Sequence, residues 1–123
     1  MLKILGERKM YGRKSPMDKT FVSFGVPYRG ARAQSTSRGL WYLYESAPGS
    51  KLVDLDAIEK VLVEQGYVNQ NVDFAVTKRS THTSYCRWFS RDNKDGSDTI
   101  MVVNYDYGKP ARNYSHIGHI FYS

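Results

Sequence analysis

Period-two alternation dominates this chain. Across 19–26, Thr20, Val22, Phe24 and Val26 alternate with Phe21, Ser23 and Gly25, which predicts a strand ended by Pro27. Residues 40–45, Leu-Trp-Tyr-Leu-Tyr-Glu, predict a dense aromatic strand, closed by an Ala47-Pro48-Gly49-Ser50 turn. Val72, Phe74 and Val76 alternate with Asp73, Ala75 and Thr77. In 83–90, Tyr85, Arg87 and Phe89 share one face, and Ser84, Cys86 and Trp88 the other. Residues 91–98 hold Asp92, Asp95 and Asp98 among Asn, Gly and Ser, and read as a polar turn. A strand over 99–107 follows, then a turn over 108–114 and a last strand over 117–122.

One segment has helical spacing instead. Leu55, Ile58 and Leu62 fall on one face, with Val61 beside them. Asp54 suits the N-cap, because its carboxylate accepts orphan backbone N–H groups. Val53 and Ile58 occupy the hydrophobic-staple positions. Gly66 fits the residue after the helix, where a left-handed conformation ends it. The opposite face carries Glu59, Lys60 and Glu64, so this helix covers something apolar and is a poor phosphate binder.

The expected fold is therefore α+β. A curved, mostly antiparallel sheet of five to seven strands carries one amphipathic helix, about 54–66, on one face. A partly closed barrel is the alternative. The length of 123 residues suits a single domain over 1–123. Residues 1–18 read as a basic arm that need not be fixed, although Leu2, Ile4 and Leu5 suit an edge strand. Residues 27–39 contain no large aliphatic side chain and read as a long basic loop.

Charge changes the picture most. Residues 1–38 hold nine bases and two acids, a net of +7, whereas the whole chain is +6. That asymmetry points to a polyanion or an acidic partner. Nothing resembles a membrane span, and the first residues lack a signal core. Cys86 is the one cysteine, which fits a reducing, cytoplasmic setting.

The ten tyrosines, five phenylalanines and two tryptophans exceed what one helix can cover. Tyrosines beside bases on an open sheet face suit nucleobase stacking and phosphate pairing. Tyr42 and Tyr44, Tyr85 and Arg87, and Tyr105 and Tyr107 are the strand residues placed for this, with Lys78, Arg79 and Arg91 adding charge. Lys9, Arg13, Lys14, Arg29, Arg32 and Arg38 are the expected phosphate contacts. The Gly-aromatic signature of an RNA-recognition motif is missing.

Catalytic and metal chemistry find less support. His82, Cys86, His116 and His119 add up to four zinc ligands, but the strand parity of His116 and His119 sets them on opposite faces. Cys86 with a histidine and an aspartate is a nucleophilic set only on paper. Ser35-Thr36-Ser37 is similar to an element of ADP-ribosyltransferases, yet no Glu-x-Glu or Gln-x-Glu pair follows. The phosphate-binding glycine loops are absent. The reading is a small non-enzymatic binding protein without metal or cofactor. It would act on nucleic acid, or on a nucleic-acid-handling complex, through its basic N-terminal third. The alternative is a phage or mobile-element accessory protein that inhibits a host protein machine, such as a defence nuclease, by direct binding.

Overall fold

The computed structural model describes residues 14–33, 39–70 and 76–122. The elements run α1 (Asp18–Ser23), β1 (Tyr28–Ala33), β2 (Leu40–Glu45), α2 (Leu55–Glu64), β3 (Val68–Asn69), β4 (Val76–Lys78), β5 (Thr83–Asn93), β6 (Gly96–Asp106), a short 3-10 turn (Pro110–Arg112) and β7 (Tyr114–Tyr122). The fold is α+β, an open antiparallel sheet of seven strands with one main helix. Strand order is β1-β2-β7-β6-β5-β3, with β4 also on β5. No described helix is long and apolar enough to cross a membrane.

The register divides the sheet cleanly into two faces. Tyr42 and Tyr44 of β2, Ile117 and His119 of β7, Ile100 and Val102 of β6, and Phe89 of β5 are buried together. Helix α2 adds Ile58 and Leu62 to that core, and the α1 segment adds Met17 and Phe21. Helix α2 starts as its sequence demands: Asp54 accepts a hydrogen bond from the Ala57 N–H at 3.1 Å. Gly66, at φ +93°, turns the chain out of its C-terminal end. Arg87 then clasps the helix to the sheet, 2.8 Å from Asp56 and 2.9 Å from Glu59.

Four expectations need correction. Residues 18–23 are helical, not extended. The buried residues there are Met17 and Phe21, four apart, so helical spacing overrides the weaker alternation of Thr20 and Val22. Gly25, at φ +85°, ends that turn and returns buried Val26 to the core. Residues 28–33 form β1 rather than loop, because edge pairing with β2 uses backbone groups and tolerates Gly30, Ala31 and Ala33. Residues 34–38 of the expected loop lie outside the described residues, as does most of the expected strand at 72–77. The supposed turn at 91–98 is the ends of two long strands joined by Lys94-Asp95 alone. Strand β7 starts at Tyr114, earlier than expected, and the short β3 was not foreseen.

Gly118 makes a close contact on the helix-free face. A Cβ there would lie 2.7 Å from Trp41 Nε1, so the indole lies across the glycine. Gly118→Ala should displace that indole and destabilise the protein by about 1–3 kcal/mol. Urea unfolding with indole fluorescence checks this; unchanged stability and an unchanged emission maximum would refute it.

Candidate functional site

Two constellations stand out, one sealed and one open. The sealed one crosses the core. Asp98, on β6, and His119, on β7, are both fully buried. His119 Nε2 donates to Asp98 Oδ1 at 2.7 Å. Tyr67, just past α2, also donates its hydroxyl to that oxygen. Asn93 Nδ2 donates to Oδ2 at 2.7 Å, and Arg91 Nε stands 3.4 Å from the same atom. The Arg91 guanidinium lies 4.3 Å over the Tyr67 ring and also donates to the Gln65 carbonyl.

Protonation follows from these partners. Burial pushes the Asp98 carboxyl up, but hydrogen bonds from His119, Tyr67 and Asn93 outweigh it and hold it at about 2. Burial pushes His119 down, against the opposing pull of Asp98. So Asp98 is charged and His119 neutral at pH 7. A neutral imidazole that donates from Nε2 must accept at Nδ1. Ser15 Oγ supplies that proton at 2.5 Å, and itself accepts from the Met17 N–H at 3.0 Å. The line continues outward. The Ser15 N–H donates to the Tyr44 hydroxyl at 3.0 Å, and Tyr44 donates to Asp18 at 2.9 Å.

A serine, histidine and aspartate in sequence is the arrangement of a nucleophile relay. Here Ser15 is 4% exposed and the other two are sealed completely. The line ties the segment before α1 to β6 and β7.

The open constellation lies at one end of the helix-free face. Tyr105 and Tyr114 are register partners on β6 and β7, stacked at 4.8 Å with planes 26° apart. Tyr107 extends the stack, 6.4 Å from Tyr114 at 22°. His82 stands 4.8 Å from the Tyr107 ring, and the Arg112 guanidinium 4.6 Å over it. All four rings are half-buried. Arg79 lies in the turn that carries His82, and Lys109 precedes Arg112; these three cations are exposed, as is Lys78, whose pairing with Thr83 sets it on the helix-side face. The nearby Asp106 is already engaged, accepting from the Gly108 N–H at 2.8 Å.

The residues expected from sequence scatter. Lys9, Arg13 and Arg38 lie outside the described residues. Lys14 and Arg29 are exposed. Arg32 is exposed and stacks 4.5 Å over Trp41. Tyr42 and Tyr44 are corrections: they point into the core, 3% and 0% exposed, because the helices cover their face of β2. Arg87 is another, since its charge is spent on Asp56 and Glu59. Tyr105 and Tyr107 join the open cluster, whereas Tyr85 is exposed on the helix-side face.

The four soft ligands do not meet. His119 is in the core, His116 and Cys86 are on the other face, and His82 is at the sheet's end. No three ligand-type side chains cluster among the described residues. Burial also pushes the Cys86 thiol up, away from the reactive thiolate. Comparison of the chain with protein-family models, curated proteins and solved structures finds no match.

The sealed line makes stability pH-dependent with a fixed sign. Unfolded histidine protonates near 6.5, but folded His119 resists protonation, so the unfolded chain binds more protons as pH falls. His116, also pushed down by burial, adds in the same direction. Unfolding free energy should therefore be flat above about pH 7 and decline below about 6.5. It should decline again from about pH 4 towards about 2, as Asp98 protonates. Asp98→Asn should cost about 2–4 kcal/mol at pH 7 and abolish the second decline. Urea titrations across pH check this; a variant as stable as the parent would overturn the role given to the carboxylate.

Proposed function

We propose that the protein is a non-enzymatic binding protein for single-stranded nucleic acid. The observation that carries this reading is the cluster of Tyr105, Tyr107, Tyr114 and His82 with the Arg112 guanidinium over it, and with exposed Arg79 and Lys109 in the turns at the same end of the sheet. Half-buried rings offer π surfaces that tolerate any base, and exposed cations neutralise the backbone. A duplex hides its bases, so stacking favours single strands. Exposed Lys14 and Arg29 add sequence-independent attraction from the basic N-terminal third. The contact surface is thus shifted from the N-terminal third to the far end of the sheet.

Fluorescence anisotropy with labelled single- and double-stranded DNA and RNA tests this. Single strands should bind more tightly than duplexes. With Arg79, Lys109 and Arg112 engaged, log affinity should fall with log salt at a slope of about −2. Tyr107→Ala should lose about 1–3 kcal/mol of binding, and Tyr107→Phe should retain it. Absence of binding at low salt, or binding indifferent to Tyr107→Ala and Arg112→Ala, would reject the reading.

A further inference from the structure

We propose that the open cluster holds a short piece of single strand, about two or three nucleotides long, laid across the β-strands rather than along them. The inference rests on the reading of this cluster as a single-strand surface, and names the length it takes. Its frame is one row at the end of the sheet. Thr77 pairs with Ser84 and Lys78 with Thr83, and the Arg79 N–H then donates to the His82 carbonyl at 2.8 Å. The β5–β6 and β6–β7 registers carry that row on from His82 to Tyr107 and to Arg112. An exposed arginine therefore stands at each end, with the His82 and Tyr107 rings between.

The width of the row sets the length. Neighbouring strands lie about 4.8 Å apart, so three spacings separate the Arg79 and Arg112 backbones by about 14 Å. Tyr105 and Tyr114 stand in the next row and widen the platform. Aromatic side chains on a four-stranded sheet stack about two or three bases, whereas a groove that tracks the backbone holds about 4–16 nucleotides. A trinucleotide has two linking phosphates, one for each arginine. The Arg112 guanidinium lies 4.6 Å over the Tyr107 ring. Stacking occupies the guanidinium face and leaves its N–H donors in the plane for a phosphate.

The charges around the row close the track. The next two rows on the same face are Thr77-Ser84-Tyr105-Tyr114 and Cys86-Val103-His116-Glu45, and neither contains lysine or arginine. Glu45 ends the second of them with its side chain 43% exposed. Burial pushes the Tyr105 and Tyr114 phenols up, and the Glu45 carboxylate is among the charges that add to it, so this acid acts on both rings. A phosphate leaving the cluster on that side meets negative charge. Lys78, one residue before Arg79, belongs to the helix-side face. Among the described residues at this end of the face, cations thus flank the row, Arg79 on one side and Lys109 and Arg112 on the other.

Isothermal titration calorimetry of the full chain with unlabelled oligothymidylates of two to twelve nucleotides tests the inference, with circular dichroism confirming that each variant folds. Affinity should rise about tenfold from the dimer to the trimer, and then only about tenfold in all from trimer to dodecamer, the number of registers a three-nucleotide frame has on the longer strand. Arg79→Ala and Arg112→Ala should each weaken the trimer about fivefold, since each removes one phosphate contact. Affinity that keeps climbing steeply to eight nucleotides and beyond, or a trimer indifferent to Arg79→Ala, would overturn the inference. The single-strand reading would survive either result as long as Tyr107→Ala weakens the dodecamer. Absence of binding at every length would remove that reading and the inference with it.

Discussion

The Asp98–His119 hydrogen bond is the constraint on which the rest of the structure depends. A buried carboxylate is tolerated only with its lone pairs filled and its charge balanced. Filling them recruits β5 through Asn93 and Arg91, the segment after α2 through Tyr67, and β7 through His119. The tautomer this enforces on His119 recruits Ser15, and with it the start of α1. One charge thereby ties five separated stretches to one point. It also pins register. A slip of one residue in β6 would send Asp98 to the other face and leave His119 Nε2 without its acceptor.

That line explains what was and was not legible in the sequence. Helix α2 was legible because its cap, staple, apolar stripe and terminal glycine all agree, and all are local. Strands β5 and β6 were legible in their centres, where large side chains alternate. The errors fall where a polar or small residue does a core residue's work. Asp98 sits among Asn, Gly and Ser and looks like turn chemistry, since only tertiary partners make an inward aspartate stable. Gly30, Ala31 and Ala33 look like loop, since edge pairing leaves no side-chain signature. Met17 and Phe21 are too few to announce a single turn of helix.

Tyrosine was the most ambiguous letter. Tyr44 and Tyr67 are core residues whose hydroxyls serve the polar line, and burial together with Asp18 or Asp98 pushes both phenols up, keeping them donors. Tyr105, Tyr107 and Tyr114 stack at the sheet's end. Nothing in composition separates these roles. Register does, because Tyr42 and Tyr44 share the parity of Ile117 and His119, whereas Tyr105 shares that of Met101 and Val103.

The distribution of charge carries the same lesson in another form. Counting along the chain concentrates the basic excess in the first third, and the eye follows it there. Folding redistributes it. Two later bases, Arg87 and Arg91, are consumed by Asp56, Glu59 and Asp98 in holding the core side together. Lys78, Arg79, Lys109 and Arg112, unremarkable in the tally because acids are interleaved with them, arrive at one end of the sheet through two separate turns. Of the acids interleaved with them, Asp106 is taken up by the turn it caps and Asp98 by the interior, while Asp92 and Asp95 stay exposed at the other end of the sheet. An antiparallel sheet brings connections 79–82 and 107–113 together by necessity, since both lie at the same end of adjacent strands. The free charge of this protein is therefore set by which acids are internally satisfied, and its location by strand order, rather than by any run of basic residues.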